Sequence, residues 1–130
     1  MNKSDIIKHW EDGSDRDYEV MKHLYEKKDY SWSLFLGHLV IEKLLKAYYV
    51  KFIDNKPVIS HDLLRIAEMA KLKLSEEQQL IFATLTTFNI NARYDDYKNE
   101  FYKLCTKEYA TGWINKIEII RTWIKEKLSK

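Results

Sequence analysis

The sequence predicts an all-α protein, an up-and-down bundle of four long helices with a short fifth, and three observations lead there. First, three Gly and one Pro among 130 residues are too few turn residues for the corners of a many-stranded β protein. Second, apolar residues recur at helical spacing over several long segments. Third, hydrophobic residues make up 45% and aromatic residues 14% of the chain, ample material for one core. A chain of this length buries roughly two-thirds of the surface it exposes when unfolded. With no internal repeat, low-complexity tract or second boundary, residues 1–130 read as one domain.

The first helix is expected from Ser4, a candidate N-cap, to Lys27, with Ile6, Ile7, Trp10, Met21 and Leu24 at helical spacing. Gly13 loosens this segment without ending it. Tyr30 and Ser31 open a second helix that runs to Ile53 and is apolar on most of its circumference, which marks it as the central helix of the bundle. Asp54-Asn55-Lys56-Pro57 stops it. A shorter helix follows from about His61 to Lys71, capped by Ser60. Ser75 and Gln78 form a capping box for a fourth helix that ends near Phe88. Asn89 to Thr106 is polar and aromatic with weak periodicity and reads as a connecting loop with one irregular helical turn. The last helix, Lys107 to Lys127, puts Ala110, Trp113, Ile114, Ile117, Ile120, Trp123 and Ile124 on one stripe.

The formal charge is +2, from 22 basic and 20 acidic residues, which excludes a strongly basic, sequence-independent nucleic-acid surface. A local basic patch stays open. Cys105 is the only cysteine, so neither an internal disulfide nor a cysteine-rich metal site can form. No paired histidines at helical spacing offer a transition-metal site, and the expectation is no metal and no cofactor. The absence of a long apolar run or signal segment leads to the expectation of a cytoplasmic protein with no membrane association.

Several polar residues carry a signal. His38, Glu42 and Lys46 recur every fourth residue on the otherwise apolar second helix, stacked in one column. The column is either a solvent-facing stripe or the lining of an internal polar groove. Asp17 is an acid within the mainly apolar face of the first helix and would need a cationic partner, for which Lys46 and Arg93 are the candidates. His61 stands at the start of a helix, where it either caps and packs or meets a bound anion. Arg93 and Tyr94 combine a phosphate fork with a stacking surface, although an Arg that ties a loop to a neighbouring helix is as common. Lys46, His61, Arg93 and Tyr94 are thus the candidate ligand-binding residues, and Asp17, His38 and Glu42 the candidate polar network.

Trp10 and Asp17, the string HLVIEKLLKAYYV at 38 to 50, SHDL at 60 to 63 and NARYDDY at 91 to 97 together resemble the HEPN (higher eukaryotes and prokaryotes nucleotide-binding) family, small stand-alone type, over about Trp10 to Ile124. The resemblance implies a bundle of four or five helices, often a homodimer, and frequently a partner of a minimal nucleotidyltransferase in a toxin–antitoxin-like pair. Carried over by position, Glu42, Lys43, Lys46, His61, Arg93 and Tyr94 match the polar motif positions. Many HEPN proteins are metal-independent RNases whose signature is an Arg followed, after four to six residues, by a His. Here no His follows Arg93; the spacing occurs only from Arg16 to His23 in the first helix. Asp95 also stands where the family usually has a Pro.

Three functions follow as expectations. The preferred one is a non-catalytic module that binds nucleotide or RNA phosphate and docks a nucleotidyltransferase. The second is a metal-independent endoribonuclease whose acid–base group is His61 or another His brought near Arg93 by folding, and the third is a purely structural helical interaction protein. Four Trp and nine Tyr exceed what one small core readily hides, which adds the expectation of a homodimer.

Overall fold

The computed structural model describes residues 1–56 and 58–130, and Pro57, the expected stop after the second helix, lies outside the described residues. Six helices follow one another: α1 (Lys3–Glu26), α2 (Tyr30–Phe52), α3 (Leu63–Met69), α4 (Glu76–Asn91), α5 (Asp95–Leu104) and α6 (Lys107–Leu128). The fold is an all-α bundle, as the punctuation and periodicity predict. α2 is its axis and contacts each of the other helices, α1 most extensively and α6 next. Its core residues Leu34, Ile41, Leu44 and Leu45 are wholly buried among Met21, Ile66, Phe82, Leu85, Ile117 and Ile124 from its neighbours.

The helix ends show how local chemistry sets the boundaries. α1 starts earlier than expected because Asn2, not Ser4, is the cap: its side chain accepts from the Asp5 amide while the Asp5 carboxylate accepts from the Asn2 amide. Gly13 leaves α1 unbroken. Lys28 takes a left-handed φ of 66° and ends α1, and the chain reverses into α2 within three residues. Two buried serines stitch this hairpin, Ser14 Oγ to the Val40 carbonyl at 2.7 Å and Ser33 Oγ to the Met21 carbonyl at 2.8 Å.

α3 is shorter than expected. Asp62 caps it by accepting from the amides of Leu64 and Arg65, while Ser60 accepts from the Asp62 amide, so His61 lies ahead of the helix in non-helical chain. The Ser75–Gln78 capping box forms as read, and α4 runs on to Asn91. The expected loop from Asn89 to Thr106 is mostly helix. α5 carries Asp95 and Asp96 in its first turn and Lys103 in its last, both favourable to the helix dipole, and anchors itself by Phe101, whose ring lies 5.2 Å from Phe88. Phe88 also meets Trp113 of α6 edge-on at 5.2 Å, so one aromatic cluster ties α4, α5 and α6 together.

At the α1–α6 seam, Asp15 accepts from Arg121 at 3.1 Å and Lys125 at 2.8 Å. Arg121 stacks 3.8 Å above the Tyr18 ring, and the Tyr18 hydroxyl donates to Glu118 at 2.5 Å.

Two glycines make opposite predictions about this packing. A Cβ on Gly37 would lie 2.4 Å from Cδ1 of fully buried Ile117 and 3.3 Å from the Met21 sulfur, whereas a Cβ on exposed Gly112 would meet nothing within 4 Å. Gly37→Ala should therefore destabilise by about 1–3 kcal/mol through overpacking. Gly112→Ala should stabilise by about 0.5–1 kcal/mol through helix propensity. Urea unfolding of the two variants would show opposite signs, and equal signs would contradict the packing described.

Candidate functional site

The polar column of α2 faces inward. His38 is 0%, Glu42 3% and Lys46 8% exposed, so the solvent-facing account of this stripe is ruled out. Burying a carboxylate requires partners for both of its oxygens, and Glu42 has them. Its Oε2 accepts from Lys46 Nζ at 3.0 Å, one helical turn on. Its Oε1 accepts from Nδ1 of His61 at 2.8 Å and lies 3.8 Å from Nε2 of His38. The Lys46 ammonium sits 5.2 Å from the centroid of the Trp10 ring, so α1 covers the pair from one side while the segment before α3 covers it from the other.

The two histidines have different chemistry. Nε2 of His38 lies 2.8 Å from the His61 carbonyl, an acceptor only, so Nε2 carries the proton. Its Nδ1 is buried without a partner among the described residues. Burial pushes the His38 pKa down, outweighing the opposite pull of the His61 carbonyl and Glu42, and the ring is neutral. His61 instead turns its Nδ1–H to Glu42 and leaves a side chain that is 66% exposed, so its Nε2 edge is open to solvent. A carboxylate that orients an imidazole with its second nitrogen free is an acid–base arrangement.

Asp17 does not pair with Lys46 or Arg93 as expected. It binds Lys43 at 2.6 Å, because the rotation of α1 against α2 that buries Ser14 on Val40 brings Asp17 beside the next residue row, and Gly13 leaves room for the Lys43 stem at 3.3 Å from where a Cβ would stand. Asp17 is thus outside the Glu42 cluster.

Arg93 lies elsewhere along the same stripe. Its Nε donates to the Asn89 carbonyl at 2.8 Å and its Nη2 to the Asn89 side-chain oxygen at 2.7 Å. The guanidinium is flanked by the rings of Phe35 at 5.6 Å and Tyr94 at 5.4 Å. No carboxylate pairs with it among the described residues. Phe35 precedes Lys46 by 11 residues on α2, or roughly 16 Å along the axis. The structure therefore brings Lys46 and His61 together on Glu42 and holds Arg93 with Tyr94 beside Phe35, away from Lys46.

A family model for the HEPN domain matches residues 7–128. The chain belongs to the HEPN family. None of the curated proteins matches it in sequence. Among solved structures, the crystal structure of TT1696 from Thermus thermophilus is similar, with a TM-score of 0.80 at 16% identity over 93% of this chain and 97% of that one. At that identity the likeness carries the fold alone.

Within this HEPN bundle, sequence reasoning groups Asn89 and Asn91 with Arg93 and Tyr94 at the end of the fourth helix but misses that Asn89 orients the guanidinium, and it misses Phe35 altogether. The i, i+4 spacing of Asn89 and Arg93 is the available signal. The one cysteine is no nucleophile: burial pushes the Cys105 thiol up to about 12, leaving negligible thiolate at neutral pH. No helix among the described residues is long and apolar enough to cross a membrane.

His38 gives a pH dependence of known sign. Its folded pKa lies below the ordinary value of 6.5, so as pH falls through that value the unfolded chain takes up a proton that the folded chain refuses, and stability is lost. The contribution is complete above about pH 7 and falls by at most about 1.4 kcal/mol per pH unit below about 6.5. His38→Gln, whose amide can donate to the same carbonyl, should show a shallower loss between pH 7 and 5. Parallel slopes for the two proteins in urea unfolding would contradict this.

Proposed function

We propose that this HEPN protein binds the phosphate of a nucleotide or of RNA through Arg93, with Tyr94 as the stacking surface, and acts with a minimal nucleotidyltransferase in a toxin–antitoxin-like pair. The observation that carries the binding reading is the state of Arg93: an exposed guanidinium, fixed in orientation by two hydrogen bonds to Asn89 and by two aromatic rings, and unneutralised by any carboxylate among the described residues. A guanidinium built only to hold the fold would spend its charge on an acid, as Arg121 does on Asp15. This one keeps its remaining N–H donors for an anion. Lys46 and His61, the other candidate ligand-binding residues, bind Glu42 instead.

A second reading, metal-independent RNA cleavage, draws on one specific observation. The Glu42–His61 pair presents an imidazole edge to solvent, and such a group can take a proton from a ribose hydroxyl.

The two readings separate on one set of proteins. Arg93→Ala should weaken binding of a single-stranded RNA oligonucleotide by about 1.5–3 kcal/mol, the range for charge-assisted hydrogen bonds, with little change in urea midpoint. Unchanged affinity would rule out the Arg93 site. The same oligonucleotide should stay intact in EDTA, whereas cleavage abolished by His61→Ala would establish the second reading.

The homodimer belongs to this proposal as well. Leu80 and Ile90 on α4 and Ile119 on α6 are 71%, 47% and 69% exposed, apolar area that a second copy would cover. Light scattering at micromolar concentration should give twice the mass of 15.7 kDa, and a monomer mass would sink the idea.

A further inference from the structure

The N-terminus of α2 is left open in a way that the ends of its neighbours are not. Asp29 holds the N-cap position but makes no side-chain hydrogen bond to the helix, and no acidic residue lies in the first turn. The first amides of a 23-residue helix, with the positive end of its dipole, are therefore unsatisfied by the chain. α5, the other helix without a side-chain cap, carries Asp95 and Asp96 in its first turn.

A second observation points to what this end is for. Ser31 is 8% exposed, yet its hydroxyl takes part in no hydrogen bond among the described residues, while the buried Ser14 and Ser33 each donate to a carbonyl. Ser31 borders both of two adjoining grooves between the start of α2 and α5, which share Tyr102 as well. The unpartnered hydroxyl thus opens into the same hollow as the free amides.

The surroundings are cationic and aromatic. Lys28, held at a left-handed φ of 66°, lines one groove and pairs with no carboxylate among the described residues. Lys98 and Lys103 line the two grooves; their pairs with Asp95 and Glu100 are solvent-exposed and weak enough to exchange for another anion. Trp32 and Tyr102 are 40% and 69% exposed. Trp32 meets Phe35 edge-on at 5.5 Å, and Phe35 lies against Arg93, so the hollow continues into the Arg93 surface.

We propose that the N-terminus of α2, with the Ser31 hydroxyl and Lys28, is a subsite for a terminal phosphate, the phosphate monoester of a nucleotide or of an RNA end, with Trp32 and Tyr102 flanking the group attached to it. The subsite extends the binding reading given for Arg93 and rests on it for the class of ligand. The Asp29 carboxylate beside it opposes an anion and sets its affinity lower than the amides alone would give.

Heteronuclear NMR of the full chain tests this, with sodium phosphate, AMP and adenosine as probes. The expected result is a saturable shift of the Ser31 and Trp32 amides with AMP and phosphate, and none with adenosine. Ser31→Asp places a carboxylate where the phosphate would sit, a favourable charge for the helix, and should weaken AMP by at least about tenfold. Lys28→Ala, at an exposed position with no packing to lose, should weaken it several-fold and serves if the Asp variant does not fold. Unsaturated shifts confined to lysine neighbourhoods would mean an adventitious ion only and overturn the proposal. So would unchanged AMP affinity in folded variants. Tighter binding of a terminally phosphorylated oligonucleotide than of its hydroxyl-ended twin identifies RNA ends as the source, and equal binding of the two with AMP saturating identifies free nucleotide. If Arg93→Ala loses RNA while phosphate leaves Ser31 silent, the subsite fails and the Arg93 reading stands. The reverse pattern sinks the Arg93 reading and keeps the subsite.

Discussion

A carboxylate in the middle of the central helix is the constraint on which the rest depends. Glu42 is 3% exposed, and an unpaired charge at that depth would cost several kcal/mol. Each partner that neutralises it fixes another part of the chain. Lys46 comes from the same helix, and its ammonium is in turn covered by Trp10 from α1. His61 comes from the segment between α2 and α3, which must therefore cross the column in a non-helical path. The His61 carbonyl, on the same stretch, receives the His38 proton. Replacing the column with aliphatic residues would remove the constraint and also the reason for the α2–α3 connection to run where it does.

Lys46 and Arg93, two of the cationic groups singled out by the family resemblance, are used in opposite ways. Lys46 is spent internally on Glu42, in a buried pair whose net contribution to stability is small because desolvation offsets attraction. Arg93 is restrained by neutral groups alone, an amide side chain, a carbonyl and two rings. Holding a guanidinium with neutral partners preserves its charge for an external anion while removing much of the rotamer freedom that binding would otherwise cost. Pre-organisation of this kind is what separates a recognition residue from a bundle strut, and it is invisible in net charge.

How much of this is legible in the residues alone varies with the kind of information required. The central position of α2, the Ser75 box and the stripe of α6 follow from periodicity and capping, which are local, and they stand as read. α5 is hidden because Phe101 is its one buried apolar side chain. Its helicity draws on terminal charges and on a contact with Phe88, which is distant in sequence. The Glu42–Lys46 pair is legible from spacing, but its burial is not, since a column every fourth residue looks the same inside or outside a bundle. Asp17 is matched to the wrong cation because the choice between Lys43 and Lys46 turns on how α1 rotates against α2, a tertiary variable. Arg93 and Lys46 are named together as candidate ligand-binding residues, and the register of α4 along α2 sets them apart.

The serine-stitched hairpin of α1 and α2 also bears on how the bundle assembles. Its most extensive helix contact joins elements only three residues apart, so closing it costs little loop entropy and its contacts stay low in sequence separation, the condition for fast formation. The Glu42 cluster needs residues beyond the hairpin only for His61; Trp10, His38, Glu42 and Lys46 all reside within it. The first half of the chain can thus gather the charged centre before the second half closes over it, and the later helices are received by a template whose most costly buried group already has its first partner.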